Sequence, residues 1–227
     1  MLKLSILFGL AIVTGTVLAQ EKAESVCYGT PENGSLENGW KLPFSGANFE
    51  PYSGLGPTLG RTYVHSSVYK AVVGAYAALT KSRPDNKYMY GETGNEAGGR
   101  FRPHKTHANG LSVDFMVPVR DRNGKSVPLR TSPLNKFGYS IEFSSSGEWE
   151  DLTIDFEAMA DHLLALEKEA QKNGIGIRRV IFDNQLQSLL FAKSRGMKLE
   201  GITFAKFKPW VRHDEHYHVD FEVKCRK

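Results

Sequence analysis

Five of the seven histidines in this 227-residue chain fall in two short windows, His104 and His107 in one and His213, His216 and His218 in the other. Imidazole is the commonest metal-ligating side chain and the commonest proton-transfer group near neutral pH, so such clustering asks for a chemical cause. Strand parity sharpens the case, because side chains alternate faces along a strand. In Val113-Asp114-Phe115-Met116-Val117, the apolar residues Val113, Phe115 and Val117 share one face and Asp114 takes the other. In His216-Tyr217-His218-Val219-Asp220-Phe221, the residues Tyr217, Val219 and Phe221 share the apolar face, and His216 and His218 project opposite. If these strands are neighbours, His107, Asp114 and His218 converge on one ion. Two imidazoles and a carboxylate leave tetrahedral Zn²⁺ one open position, which is a catalytic rather than a closed structural arrangement. There is no His-Glu-x-x-His, so the usual Glu base is missing. His216, beside a ligand on the same face, is the substitute: it would take a proton from water or stabilise an oxyanion. His213 and His104 would assist it. His65 and His162 lack such company and read as a helix-start residue and a polar helix-face residue.

These groups need a scaffold. Val68, Val72, Ala75, Tyr76 and Leu79 recur at helical spacing within Val64 to Thr80. Arg83 to Thr106 is a long Gly-rich stretch, and such loops in compact domains are usually functional or mobile. Leu111 to Val119 reads as a strand, and Asp121-Arg122-Asn123-Gly124 as a turn into a second short strand. Ser144 to Gly147 is a polar loop. Phe156 to Ala170 forms a second helix, stopped by Asn173-Gly174. Arg179 to Phe182 is a short strand, Gln185 to Ser194 a third helix, and Tyr217 to Val223 the last strand. The expected fold is α+β: a small central antiparallel sheet carrying the zinc site, flanked by about three helices and long loops. Gly54-Leu55-Gly56-Pro57 is a poor dinucleotide loop, since it contains a Pro and follows no strand.

Residues 1–19, MLKLSILFGLAIVTGTVLA, have the form of a secretory signal peptide cleaved after Ala19. Lys3 is the positive end, and the apolar run is shorter than the roughly 20 residues a bilayer span needs. Residues 20–54 read as an irregular N-terminal arm rich in Gly, Pro, Asn, Ser and Glu, and 55–227 as one domain carrying the zinc site. Export makes the two cysteines meaningful. Cys27 and Cys225 could bond in an oxidising compartment and tie the tail to the last strand, at a gain of about 4–5 kcal/mol in the chain-entropy description. A net charge of only +4 argues against a nucleic-acid binder. Two cysteines without a CxxC exclude a Cys-rich zinc site.

The motif His107-Ala-Asn-Gly-Leu-Ser-Val-Asp114 with His216-Tyr-His218 resembles the signature of the lysostaphin, D-Ala-D-Ala metallopeptidase and sonic hedgehog superfamily. Within it, the chain is most similar to the penicillin-insensitive murein endopeptidases. His104 precedes His107 by three, and His213 precedes His216 by three. Gly98-Gly99 lies upstream, Pro209-Trp210 lies before the last cluster, and Val180-Ile181-Phe182 leads into a helix. The resemblance covers roughly residues 55–225. Ser112, where a second acidic residue is usual, and Asp220, where a basic one is common, depart from the pattern, and the family typically has more cysteines. The resemblance makes 55–227 a metallopeptidase domain and implies an exported, periplasmic or secreted enzyme with one zinc per chain. It implies peptidoglycan as the partner and hydrolysis of D-alanyl-meso-diaminopimelate cross-links, with no nucleic acid and no membrane association after signal cleavage. Two alternatives follow from the same resemblance: a catalytically silent zinc-containing module that binds cell wall or protein, as in the hedgehog branch, and a secreted toxin acting on a competitor's wall.

Overall fold

The computed structural model describes residues 22–206 and 211–227. The signal-peptide segment and Pro209-Trp210 lie outside these residues. The architecture is mixed α/β with several sheets, organised on one five-stranded sheet. Its strands are β1 (Phe49–Pro51), β2 (Tyr88–Tyr90), β3 (Ser112–Met116), β4 (Gly176–Ile181) and β5 (His216–Glu222), in the spatial order β4-β5-β3-β2-β1. β5 runs antiparallel between β4 and β3, and β2 antiparallel to β3. The sheet was expected to be antiparallel throughout, but the edge pair β1–β2 is parallel. A chain of this length can make that crossover because a helix lies between the two strands.

That helix is α1 (Ser66–Ser82), and α2 (Phe156–Lys172) packs against it. Both start where a side chain receives an orphan backbone N–H. His65 accepts from Ser67 at 3.1 Å, which is the helix-start role expected of it. Asp155 accepts from Ala158 at 3.0 Å. Val68, Val72, Tyr76 and Leu79 of α1 and Met159, Leu163, Leu166 and Ala170 of α2 are buried in one core with Val113, Phe115, Tyr217, Val219 and Phe221. The apolar strand faces therefore meet the helices, and the opposite face carries the histidines. A shorter helix, α3 (Asn184–Phe191), follows β4 and is capped by Asp183.

Two expectations need correction. His162 is not a polar helix-face residue: it is fully buried among the rings of Tyr76, Tyr88 and Phe115, with Nδ1 2.6 Å from the Tyr217 hydroxyl. A period-3.6 pattern cannot distinguish a solvent-facing His from one completing a polar pair inside a core. The N-terminal arm is more regular than irregular. Val26–Gly29 and Gly34–Glu37 form a hairpin, and Phe49–Pro51 joins the central sheet as its edge. Such short strands, interrupted by Gly, Pro and Asn, carry no readable alternation. The hairpin is bonded to the other end of the chain by the Cys27–Cys225 disulfide, which spans 198 residues.

Candidate metal centre

The centre forms where β3 and β5 pair. Asp114 and His218 are direct cross-strand partners, so their side chains rise from the same face of the sheet. Asp114 is fully buried, and four imidazoles point at its carboxylate. His218 Nδ1 lies 2.8 Å from Oδ1 and His107 Nε2 lies 3.3 Å from Oδ1. His104 Nδ1 lies 3.7 Å and His216 Nε2 3.9 Å from Oδ2. His213 packs on this group at a tilt, its ring centre 4.6 Å from that of His216. All six residues singled out in the sequence thus meet in one place. Ligand atoms of His104, His107 and Asp114 lie within 4.8 Å of one another, close enough to hold one ion.

Each imidazole is oriented through its remote nitrogen. His107 Nδ1–H donates to the Thr93 carbonyl at 3.0 Å. His104 Nε2–H donates to Glu92 at 2.6 Å, His216 Nδ1–H to Glu215 at 2.7 Å, and His218 Nε2–H to Asp220 at 2.8 Å. This is how metal-binding histidines are held: one nitrogen donates to a carboxylate or carbonyl, which fixes the tautomer and frees the other for a cation. Asp220 in turn accepts from Ser112 Oγ at 2.6 Å and pairs with Arg179 at 2.6 Å. Ser112 and Asp220, the two departures from the family pattern, face each other across the strand pair as the support of His218.

Glu92 and Tyr139 are the residues that the sequence reading missed. Glu92 is buried, binds Arg61 through both carboxylate oxygens, and accepts from Tyr52 at 2.7 Å. Tyr139 donates its hydroxyl to Asp114 Oδ2 at 3.0 Å and accepts from the Glu92 backbone N–H at 2.9 Å. The signal for Glu92 was its place in Gly91-Glu92-Thr93-Gly94 within the Gly-rich stretch. Tyr139 gave none, being 25 positions from Asp114 in an irregular turn.

The His107 loop is held from outside. His107 has a φ of 73° and Gly110 one of 75°. Ala108 donates to Pro31 at 2.8 Å and Gly110 accepts from His65 at 2.9 Å. Arg226 donates to Cys27 at 2.9 Å, so the disulfide-anchored hairpin grips the loop and the tail beyond β5 together.

The electrostatics of the centre favour a cation. Burial by itself would raise the Asp114 carboxyl, but His107, His216 and His218 around it hold it well below the usual range. Burial would lower His218, yet Asp220 and Asp114 outweigh it and push it up to about 10. Both His218 nitrogens face carboxylate oxygens, so without metal the ring must be doubly protonated. His107 Nε2 is buried and has no hydrogen-bond partner, and burial lowers its pKa. Its lone pair therefore faces a carboxylate with nothing positive between them. A divalent ion fits both positions: it would replace the His218 Nδ1 proton and satisfy the orphaned His107 nitrogen. Nitrogen and carboxylate ligands in this number suit zinc.

The centre opens into a cleft of about 890 Å³, whose walls include Tyr52, Leu55, Arg61, Phe137, Ile181 and His213. No helix among the described residues is long and apolar enough to cross a membrane. A search among curated proteins finds no significant match. The model of one protein family, described as penicillin-insensitive murein endopeptidase, matches residues 27–227. That match takes in the hairpin from Cys27 on, the sheet and every residue of the centre, and the chain belongs to the penicillin-insensitive murein endopeptidase family.

Proposed function

We propose that the chain is an exported zinc endopeptidase that hydrolyses D-alanyl-meso-diaminopimelate cross-links of peptidoglycan. The observation that carries this reading is the convergence of oriented imidazoles on one buried carboxylate at the floor of an open cleft. His107 through Nε2, His218 through Nδ1 and the Asp114 carboxylate would hold the ion. His104 gives Nε2–H to Glu92 and turns Nδ1 toward Asp114 at 3.7 Å, so it stands against the ligand set and leaves the fourth position of the ion open to water. Zinc bound there supplies Lewis-acid polarisation of the scissile carbonyl and activation of water near neutral pH.

The protein's own groups do the rest. His216 gives its Nδ1–H to Glu215, so Nε2 carries the lone pair beside the ligands. It takes a proton from the attacking water and returns it to the leaving amine. Burial opposes the charged ring, but Glu215 and Asp114 outweigh it and raise the His216 pKa. His213 donates Nδ1–H to the Val211 carbonyl at 2.8 Å, and burial lowers it to about 4. It is neutral at physiological pH and offers Nε2 as an acceptor for the leaving amine. Tyr139 keeps the Asp114 carboxylate in place.

The test is incubation of purified cross-linked muropeptide dimers with the protein, with and without a chelator, and product identification by mass. Monomers cut between D-alanine and diaminopimelate are expected, lost on chelation and restored by zinc. Stoichiometric zinc binding and dimer binding without cleavage would instead identify a silent wall-binding module.

A further inference from the structure

The cleft has cations to spare and no carboxylate to spare. Glu92 is engaged by Arg61, Tyr52 and His104, Glu215 by His216, and Glu32 by Arg179 at 3.4 Å. Arg61 and Arg179 are consumed in those same pairs. Arg102 and Lys136 also line the cleft, both are exposed, and neither side chain has a polar partner among the described residues. They sit on separate segments, one beside His104 and the other just before Tyr139, and both segments are pinned. The Arg102 carbonyl accepts from Arg61 at 2.9 Å, so the Glu92–Arg61 pair fixes the base of that side chain. Lys136 stands in a left-handed turn, φ 51°, braced by the Asn135 side chain. That amide accepts from Ser132 at 2.8 Å and Gly138 at 2.9 Å. Their backbones are fixed and their charged ends are unpaired, so a ligand carboxylate in the cleft would meet two cations for which no protein carboxylate competes.

We propose that Arg102 and Lys136 form a carboxylate-recognition pair at the cleft mouth, selecting peptides that carry a free carboxylate near the scissile bond over the same peptides with that group amidated. The inference deepens, and rests on, the endopeptidase reading. Arg102 supplies a planar fork that can take a carboxylate through two N–H groups, and Lys136 a compact point charge. Such rim charges act on encounter and specificity more than on the chemical step, and salt screens them. Free diaminopimelate carboxylates on the stem peptides have the required chemistry.

The experiment compares two ligand pairs, each free or amidated at diaminopimelate. Cross-linked dimers report cleavage kinetics, and single stems, which have no cross-link to cut, report binding by calorimetry to the zinc-loaded protein. Wild type should show a KM about tenfold lower for the free dimer and bind the free stem more tightly by a similar factor. The preference should shrink as salt rises. Arg102→Gln with Lys136→Gln should raise KM for the free dimer to the amidated value, leaving kcat, zinc content and circular dichroism unchanged. Arg102→Lys alone should retain part of the preference. Equal or absent binding of the two stems by wild type, or a preference that survives in the double variant, overturns the inference. Preferential binding of the free stem with no cleavage of either dimer leaves it standing and removes the endopeptidase reading instead.

Discussion

His218 and Asp220, two residues apart on one face of β5, are joined by a 2.8 Å hydrogen bond from Nε2–H to Oδ1, and this bond decides which nitrogen of His218 is free. With Nε2 occupied, Nδ1 faces Asp114. The relationship predicts that Asp220→Asn keeps the fold but weakens metal binding. The amide cannot stabilise positive charge on the ring as the carboxylate does, and it leaves Arg179 without its buried partner. Zinc affinity should fall by about 10–100-fold, as supports of metal-bound histidines typically cost. Competition against a chromogenic chelator measures it. An unchanged affinity would mean that His218 binds no metal.

This support was half legible in the sequence. The alternation of His216, His218 and Asp220 puts all three on one face, and Ser112 and Asp114 share a face of β3. Period-2 patterning therefore carried the pairing of Asp114 with His218. It could not carry the partners. Whether Asp220 points at a base, a metal or His218 depends on register, and the register is visible only once β3 and β5 are aligned. Glu92 and Tyr139 were hidden for a related reason. Glu92 reaches His104 from a loop and Tyr139 reaches Asp114 from a turn, where no periodicity ties side-chain direction to sequence position. The N-terminal strands were hidden because four-residue strands are too short to alternate recognisably.

His216 separates catalysis from binding. Its Nε2 is the farthest of the four imidazole nitrogens from Asp114, at 3.9 Å, and the ring lines the cleft. His216→Ala should keep zinc stoichiometry and lower turnover of muropeptide dimers by about 10²–10⁴. His107→Ala, Asp114→Ala and His218→Ala should each lose the metal. Metal analysis alongside kinetics checks both statements, and zinc loss in His216→Ala would move His216 among the ligands.

His162 makes stability depend on pH from the opposite face of the sheet, where it packs on Phe115 and Tyr217. Burial lowers its pKa from 6.5 to about 3. The unfolded chain then binds the proton that the folded chain refuses. This ring's effect is absent above pH 6.5 and costs stability as pH falls toward 3. Between pH 6.5 and 4 the loss is ~3 kcal/mol. His162→Phe should be less stable at pH 7 by about 1–3 kcal/mol, because the Tyr217 hydroxyl loses its buried acceptor. It should also lose less on acidification, so the two stability curves approach or cross near pH 4. Denaturant melts of both proteins across pH 7 to 4 measure the difference, and parallel curves would refute the assignment.

Gly91 is where backbone and site are closest. Its N–H donates to the Asp114 carbonyl at 2.7 Å, which continues the pairing beyond β2. A methyl group there would lie 2.6 Å from the Tyr139 hydroxyl and 2.9 Å from Asp114 Cβ. Neither neighbour can yield: Asp114 Cβ is fixed by a central strand, and Tyr139 is held by Asp114 and by the Glu92 N–H. Gly91→Ala should therefore move the carboxylate on which the imidazoles converge, lowering zinc affinity by about 10–100-fold, with turnover falling in parallel. Tyr139→Phe alone should have a smaller effect of the same kind, since it frees Asp114 Oδ2 without displacing it. Combining the two should cost less than their sum, because the first substitution already breaks the contact that the second removes. Strict additivity in the zinc titrations would show that Gly91 and Tyr139 act on Asp114 independently, against the shared contact seen here.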